Sequence, residues 1–144
     1  MSGYPNSVIE CLDDSMQFPP TVLSAVQKFA RRKPWRGSLA ERKRKLRKLN
    51  RDLAKALGRT PPKLVLRGVG SGDSGDSYYR PADHAIVLLG RLSVVTFLHE
   101  WGHLLHGHSE LAACRFSLNL FRRCFPRSWA RLRFDRHMVR AQRQ

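Results

Sequence analysis

His99, Glu100 and His103 form an H-E-x-x-H motif within His99-Glu100-Trp101-Gly102-His103. The motif ends an apolar run, Leu92 to Leu98, that reads as a buried helix. Residues four apart lie on one face of a helix, so His99 and His103 can hold one metal ion together. Glu100 stands beside them, where it can take a proton from a metal-activated water. Imidazole and carboxylate ligands with an open coordination position suit zinc, although they also accept manganese and iron. Val94, Val95, Phe97, Leu98, Leu104 and Leu105 supply the apolar surroundings that such a cavity needs. Three polar residues in one apolar helix are costly to bury without an ion to satisfy them. Small Gly102 leaves room for another backbone to approach closely.

A catalytic zinc usually has three protein ligands and one water, so a further ligand is required. The motif is followed by Leu104-Leu105-His106-Gly107-His108-Ser109-Glu110. On an unbroken helix Glu110 would face the same way as His103, but about 10 Å further along the axis. The chain must therefore turn to bring it back. Gly107 is the expected left-handed helix stop, and Ser109 reads as the N-cap of a second helix with Glu110 in its first turn. Glu110 is the candidate third ligand. His106 and His108 compete with it, since either imidazole would reach the ion if the turn fell differently.

The spacing His99-Glu100-x-x-His103, then Glu110-x-x-Ala113-x-x-Phe116-Ser117, resembles the gluzincin pattern. It is most similar to the ImmA/IrrE-like metallopeptidases and the minigluzincins, over roughly residues 63 to 126. That resemblance implies His99, His103 and Glu110 as zinc ligands, Glu100 as general base, and hydrolysis of peptide bonds. Its six-residue linker from His103 to Glu110 is shorter than is usual in that family. Metzincins turn at a Gly after a short linker, but their third ligand is a His, and Ser109 occupies that position. In gluzincin-like folds a strand beside the active-site helix binds extended substrate by edge pairing. By that likeness Tyr78 or Tyr79 is a candidate to stabilise the oxyanion.

The elements that must carry these residues follow from periodicity. A chain of 144 residues, 42% of them hydrophobic, supports one domain with a modest core. Residues 1 to 20 read as a loose, flexible arm, and residues 21 to 144 as a single domain. Its basic helical region runs from 21 to 59 and its catalytic core from 63 to 126. Thr21 can cap a helix carrying Val22, Val26, Phe29 and Ala30. Ser38-x-x-Glu41 is a capping box, Leu46, Leu49, Leu53 and Leu57 form one stripe, and Gly58 is the stop. Leu64 to Leu66 and His84 to Leu89 read as strands. The Gly/Ser/Asp stretch between them is an exposed loop in which Asp73 and Asp76 could hold calcium. Glu110 to Cys124 is a helix, and Ser128 to Arg140 a short basic one anchored by Trp129, Leu132 and Phe134. His137 is a surface or capping histidine, or a transition-state residue from the C-terminus. The expected fold class is α+β: two N-terminal helices, a small sheet, the motif helix, the glutamate helix and the C-terminal helix.

Net charge is +16, from 27 basic and 11 acidic residues. Fourteen basic residues fall between Lys28 and Arg59 and nine between Arg115 and Arg143, while the motif region is close to neutral. A pI near 11.2 points to polyanions or to a solvated charged face. Arg44, Lys45, Arg47 and Lys48 are the leading candidates for nucleic-acid contact. A basic nucleic-acid-binding module with a structural metal is therefore the alternative function, and a degenerate peptidase scaffold a third. No stretch approaches the roughly 18 apolar residues of a membrane span, and the N-terminus lacks the pattern of a signal peptide. Cys11, Cys114 and Cys124 make an odd count with no CxxC pair, which reads as reduced thiols in a cytoplasmic protein. The expected partners are a protein or peptide substrate and, through the basic surface, nucleic acid.

Overall fold

The computed structural model describes residues 4–68, 77–135 and 138–141. The fold is α+β, as the periodicity predicts. The chain divides into two compact units, Phe18–Val94 and Met1–Gln17 with Val95–Gln144. No described helix is long and apolar enough to cross a membrane.

In the first unit, helix α1 (Pro20–Arg31) opens on a proline, whose missing N–H costs nothing in a first turn. Thr21 does not cap it; its hydroxyl instead donates to the Ala56 carbonyl at 3.4 Å. Val22, Ala25, Val26 and Phe29 form its buried face. Helix α2 (Leu39–Ala56) begins where the Ser38 hydroxyl accepts from the Glu41 N–H at 3.2 Å and donates to the Glu41 carboxylate at 3.3 Å. The chain leaves it through Gly58 at φ 64°, a conformation that glycine adopts without strain. Leu46, Leu49 and Leu53 are buried along one face, and α1 packs against α2. Buried Asn50 donates to the Pro62 carbonyl at 2.9 Å, tying α2 to the start of the sheet.

Strand β1 (Lys63–Arg67) and strand β2 (Tyr78–Arg80) flank strand β3 (Ala85–Leu89), β1 parallel and β2 antiparallel to it. The register pairs Val65 with Val87 and Tyr79 with Ile86. Ala85 to Leu88 are fully buried, as a continuous apolar run on a central strand requires. A short turn, Pro81–Asp83, returns the chain from β2 to β3 through His84 at φ 50°. Asp73 and Asp76 lie outside the described residues.

In the second unit, helix α3 (Val94–His106) carries the motif and helix α4 (Glu110–Cys124) the glutamate. The expected loose arm is instead fastened to α4. Val8 and Cys11, in and before a short 3-10 turn, are buried with Cys114 and Leu118. Buried Asn119 donates to the Cys11 carbonyl at 2.7 Å and accepts from the Asp13 N–H at 2.8 Å. Arg115 pairs with the Asp13 carboxylate at 2.7 Å. Hydrogen bonds from Ser15, then Arg115, hold that carboxyl below its ordinary range. The expected helix from Ser128 to Arg140 is also corrected. Helix α5 (Pro126–Ala130) is five residues long, and an antiparallel pair follows, β4 (Leu132–Asp135) with β5 (Met138–Ala141). The alternation Arg131-Leu132-Arg133-Phe134-Asp135 has the period of a strand, not of a helix. Phe134 remains anchored, 5.1 Å from the Trp129 ring, which itself stands 6.5 Å from Phe121.

Candidate metal centre

The helix stop after α3 forms as the turn residues dictate. Gly107 takes φ 79° and its N–H donates to the His103 carbonyl at 2.8 Å. Ser109 then caps α4, its hydroxyl accepting from the Ala112 N–H at 3.1 Å. Where the two helices meet, Gly102 faces Ala113. A Cβ on Gly102 would stand 2.7 Å from the Ala113 Cα and 3.0 Å from its carbonyl oxygen. Only two small residues allow the backbones this close, and that approach brings the first turn of α4 under both histidines.

The result is a cluster of three side chains. His99 Nε2 lies 2.9 Å from one Glu110 oxygen, and His103 Nε2 lies 3.0 Å from the other. The two imidazole rings are 4.8 Å apart and nearly perpendicular. The ligand atoms of His99, His103 and Glu110 all lie within 4.8 Å of one another, so the group can hold a metal ion. These side chains keep between 15% and 19% exposure, so the cluster is partly open to solvent. Glu100, by contrast, is 4% exposed.

The tautomer of His103 follows from its neighbour. A carbonyl oxygen can only accept, so Nδ1, 2.8 Å from the Gly107 carbonyl, must carry the proton. In the neutral ring that leaves a lone pair on Nε2, aimed at a carboxylate oxygen 3.0 Å away. Two acceptors at that distance repel unless a cation, proton or metal, stands between them. The helix stop thus orients the His103 ring, as a carbonyl partner does for histidines that bind metals. His99 is placed differently. Its Nδ1 faces the Cys114 thiol at 3.6 Å. The hydrogen bond with Cys11, together with burial, raises the proton affinity of Cys114, so that it remains a neutral thiol. Cys11 in turn reaches the Ser7 carbonyl at 3.7 Å. A line of sulfur contacts therefore connects His99 to the N-terminal segment. Nothing in the linear order of Cys11, His99 and Cys114 announces it. All three cysteines are free and buried, and burial pushes the Cys124 thiol up to about 11.

The competitors for third ligand stand apart from the cluster. His106 and His108 are exposed, and the His106 ring packs edge-on against Phe116 at 6.2 Å. Tyr79, a candidate for oxyanion contact, has its hydroxyl 3.0 Å from His84 Nδ1. His84 Nε2 meets the Thr60 carbonyl at 2.7 Å, so that ring donates from Nε2 and accepts the tyrosine proton at Nδ1. Tyr78 is exposed. His137 lies outside the described residues.

Of the four cations singled out for nucleic acid, two are committed internally. Lys45 donates to the carbonyls of Lys33 and Arg36, each at 3.0 Å, and Arg47 donates to the Leu64 carbonyl at 2.8 Å. Arg44 is exposed, and Lys48 makes a solvent-facing pair with Asp52 at 3.7 Å.

The close contact at Gly102 yields a direct expectation. Gly102→Ala gains about 1 kcal/mol of helix propensity. It must also push the backbones of α3 and α4 apart, an overpacking cost of about 1–3 kcal/mol. A net loss of stability is expected in denaturant unfolding. A raised midpoint would mean that α3 and α4 do not approach this closely. Comparison with protein-family models, with curated proteins and with solved structures finds no match for this chain.

Proposed function

We propose that the chain is a zinc-dependent peptidase, with His99, His103 and Glu110 holding the ion and Glu100 acting as general base. The donor set fits. Zinc bonds of about 2.0–2.1 Å in tetrahedral geometry separate neighbouring ligand atoms by about 3.4 Å. The spacings of this cluster, from 2.9 Å upward and all within 4.8 Å, bracket that value. Two imidazole nitrogens and a carboxylate also match the borderline-soft character of zinc. The observation that carries the reading is the convergence of His99, His103 and Glu110, whose ligand atoms all lie within 4.8 Å of one another. The likeness of the motif and the following glutamate helix to gluzincins supports peptide bonds as the substrate class.

A bound zinc would supply a Lewis acid that polarises the scissile carbonyl and lowers the pKa of a water to about 7. The chain supplies the rest. Glu100, next to His99 on α3, receives the proton of the attacking water and delivers it to the leaving amine. The Gly107 carbonyl keeps His103 in one tautomer, and Glu100 itself is buried.

Metal content per chain, measured on protein purified without added metal, tests this reading together with cleavage of an unstructured protein substrate. About one zinc per chain is expected, with cleavage that a chelator removes and added zinc restores. A protein that takes up no zinc when it is offered would refute the reading.

A further inference from the structure

The positive charge of this chain is concentrated in one unit. Phe18–Val94 holds eighteen Lys and Arg against five Asp and Glu, a net +13 of the total +16. Within it, α2 buries its leucine face, and the cations on the opposite side are exposed. Arg44, Lys48, Arg51 and Lys55 are all exposed and follow one another at i, i+4, i+7 and i+11. At 100° per residue they fall within an arc of about 60° and extend about 16 Å along the axis. Leu46, Leu49 and Leu53 occupy the opposite arc. Like charges at helical spacing repel one another. Of the two acids on α2, Glu41 is taken up in the helix cap and Asp52 lies 3.7 Å from Lys48.

We propose that this outer face of α2 docks on duplex DNA through its phosphates. A straight row of cations matches a polyanion of regular charge spacing, and binding is driven by release of condensed counterions. The helix carries no aromatic side chain, so it lacks the stacking platform that single-stranded partners require. A B-form major groove admits an α-helix, whereas the deep, narrow major groove of A-form RNA does not. The stripe differs from the residues that sequence clustering selects. Lys45 and Arg47 are spent on carbonyls of the protein itself, while Arg51 and Lys55 take their place.

Fluorescence anisotropy of the full chain with a labelled 25-base-pair DNA duplex, titrated across salt, provides the test. Four phosphate contacts predict a slope of log K against log salt of about −3.6, equivalent to about 150-fold weaker binding at 200 mM than at 50 mM. The variant Arg44→Gln, Lys48→Gln, Arg51→Gln, Lys55→Gln should flatten that slope towards zero. Glutamine is a good helix former, so circular dichroism should show α2 intact. A control with the same loss of charge, from exposed Arg91, Arg127, Arg131 and Arg133 to Gln, should keep most of the binding. The proposal is overturned if the control weakens binding as much as the stripe variant. It is equally overturned if wild type shows no salt-dependent binding, or if it binds single strands or an RNA duplex at least as tightly. The readout does not involve the metal cluster, so its failure and the failure of the peptidase reading are separable.

Discussion

Replacing Glu100 with Gln is expected to leave zinc bound and to lower turnover by about 10²–10⁴-fold, the usual contribution of a positioned general base. The amide keeps the shape and burial of the side chain but cannot receive the water's proton. Glu100 is not among the three side chains that converge into a group able to hold a metal ion, so the metal should remain. The effect should therefore appear in kcat, with zinc content unchanged. Turnover close to wild type, at full zinc occupancy, would remove Glu100 from the mechanism. Loss of zinc instead would place its carboxylate among the ligands.

Glu110→Ala should weaken zinc binding by about a hundredfold or more, since one of three protein ligands disappears from a site whose total binding free energy is on the order of 10 kcal/mol. The start of α4 should survive, because the Ser109 hydroxyl caps it independently of Glu110. The loss is thus separable from unfolding: circular dichroism should be unchanged while zinc per chain falls on dialysis against a competing chelator. Stoichiometric zinc in this variant would transfer the third position to His106 or His108 and require the turn at Gly107 to close differently. Glu110→Gln, which keeps the size but loses the charge, should fall between the two.

Local features announce much of this fold. The four-residue spacing of His99 and His103 needs only a helix to place both rings on one side, and the apolar run before them supplies it. Gly107 and Ser109 mark the end of one helix and the start of the next, as the φ of one and the hydroxyl bond of the other show. Ser38, Glu41 and Gly58 bound α2 in the same manner. Features that depend on partners distant in the chain are not legible in this way. The N-terminal segment carries no periodic signal, and its order comes from Asn119 and Cys114, more than a hundred residues away. The strand alternation from Arg131 to Asp135 is present in the sequence, but the basic residues around it read equally well as a solvated helix.

Linear spacing is enough to put a histidine pair and a neighbouring glutamate on one helix, and to open a second helix on Glu110. Those are statements about φ, ψ and separation within a few residues, where hydrogen bonds and side-chain volume act locally. Which side chain completes the cluster is settled by packing between helices. The choice of Glu110 over His106 and His108 depends on how closely α3 and α4 approach, and Gly102 against Ala113 sets that distance through atoms eleven residues apart. The same holds for the charges on α2. Their number is a property of the sequence, but which of them remain available to a partner depends on where the carbonyls of Lys33, Arg36 and Leu64 come to rest.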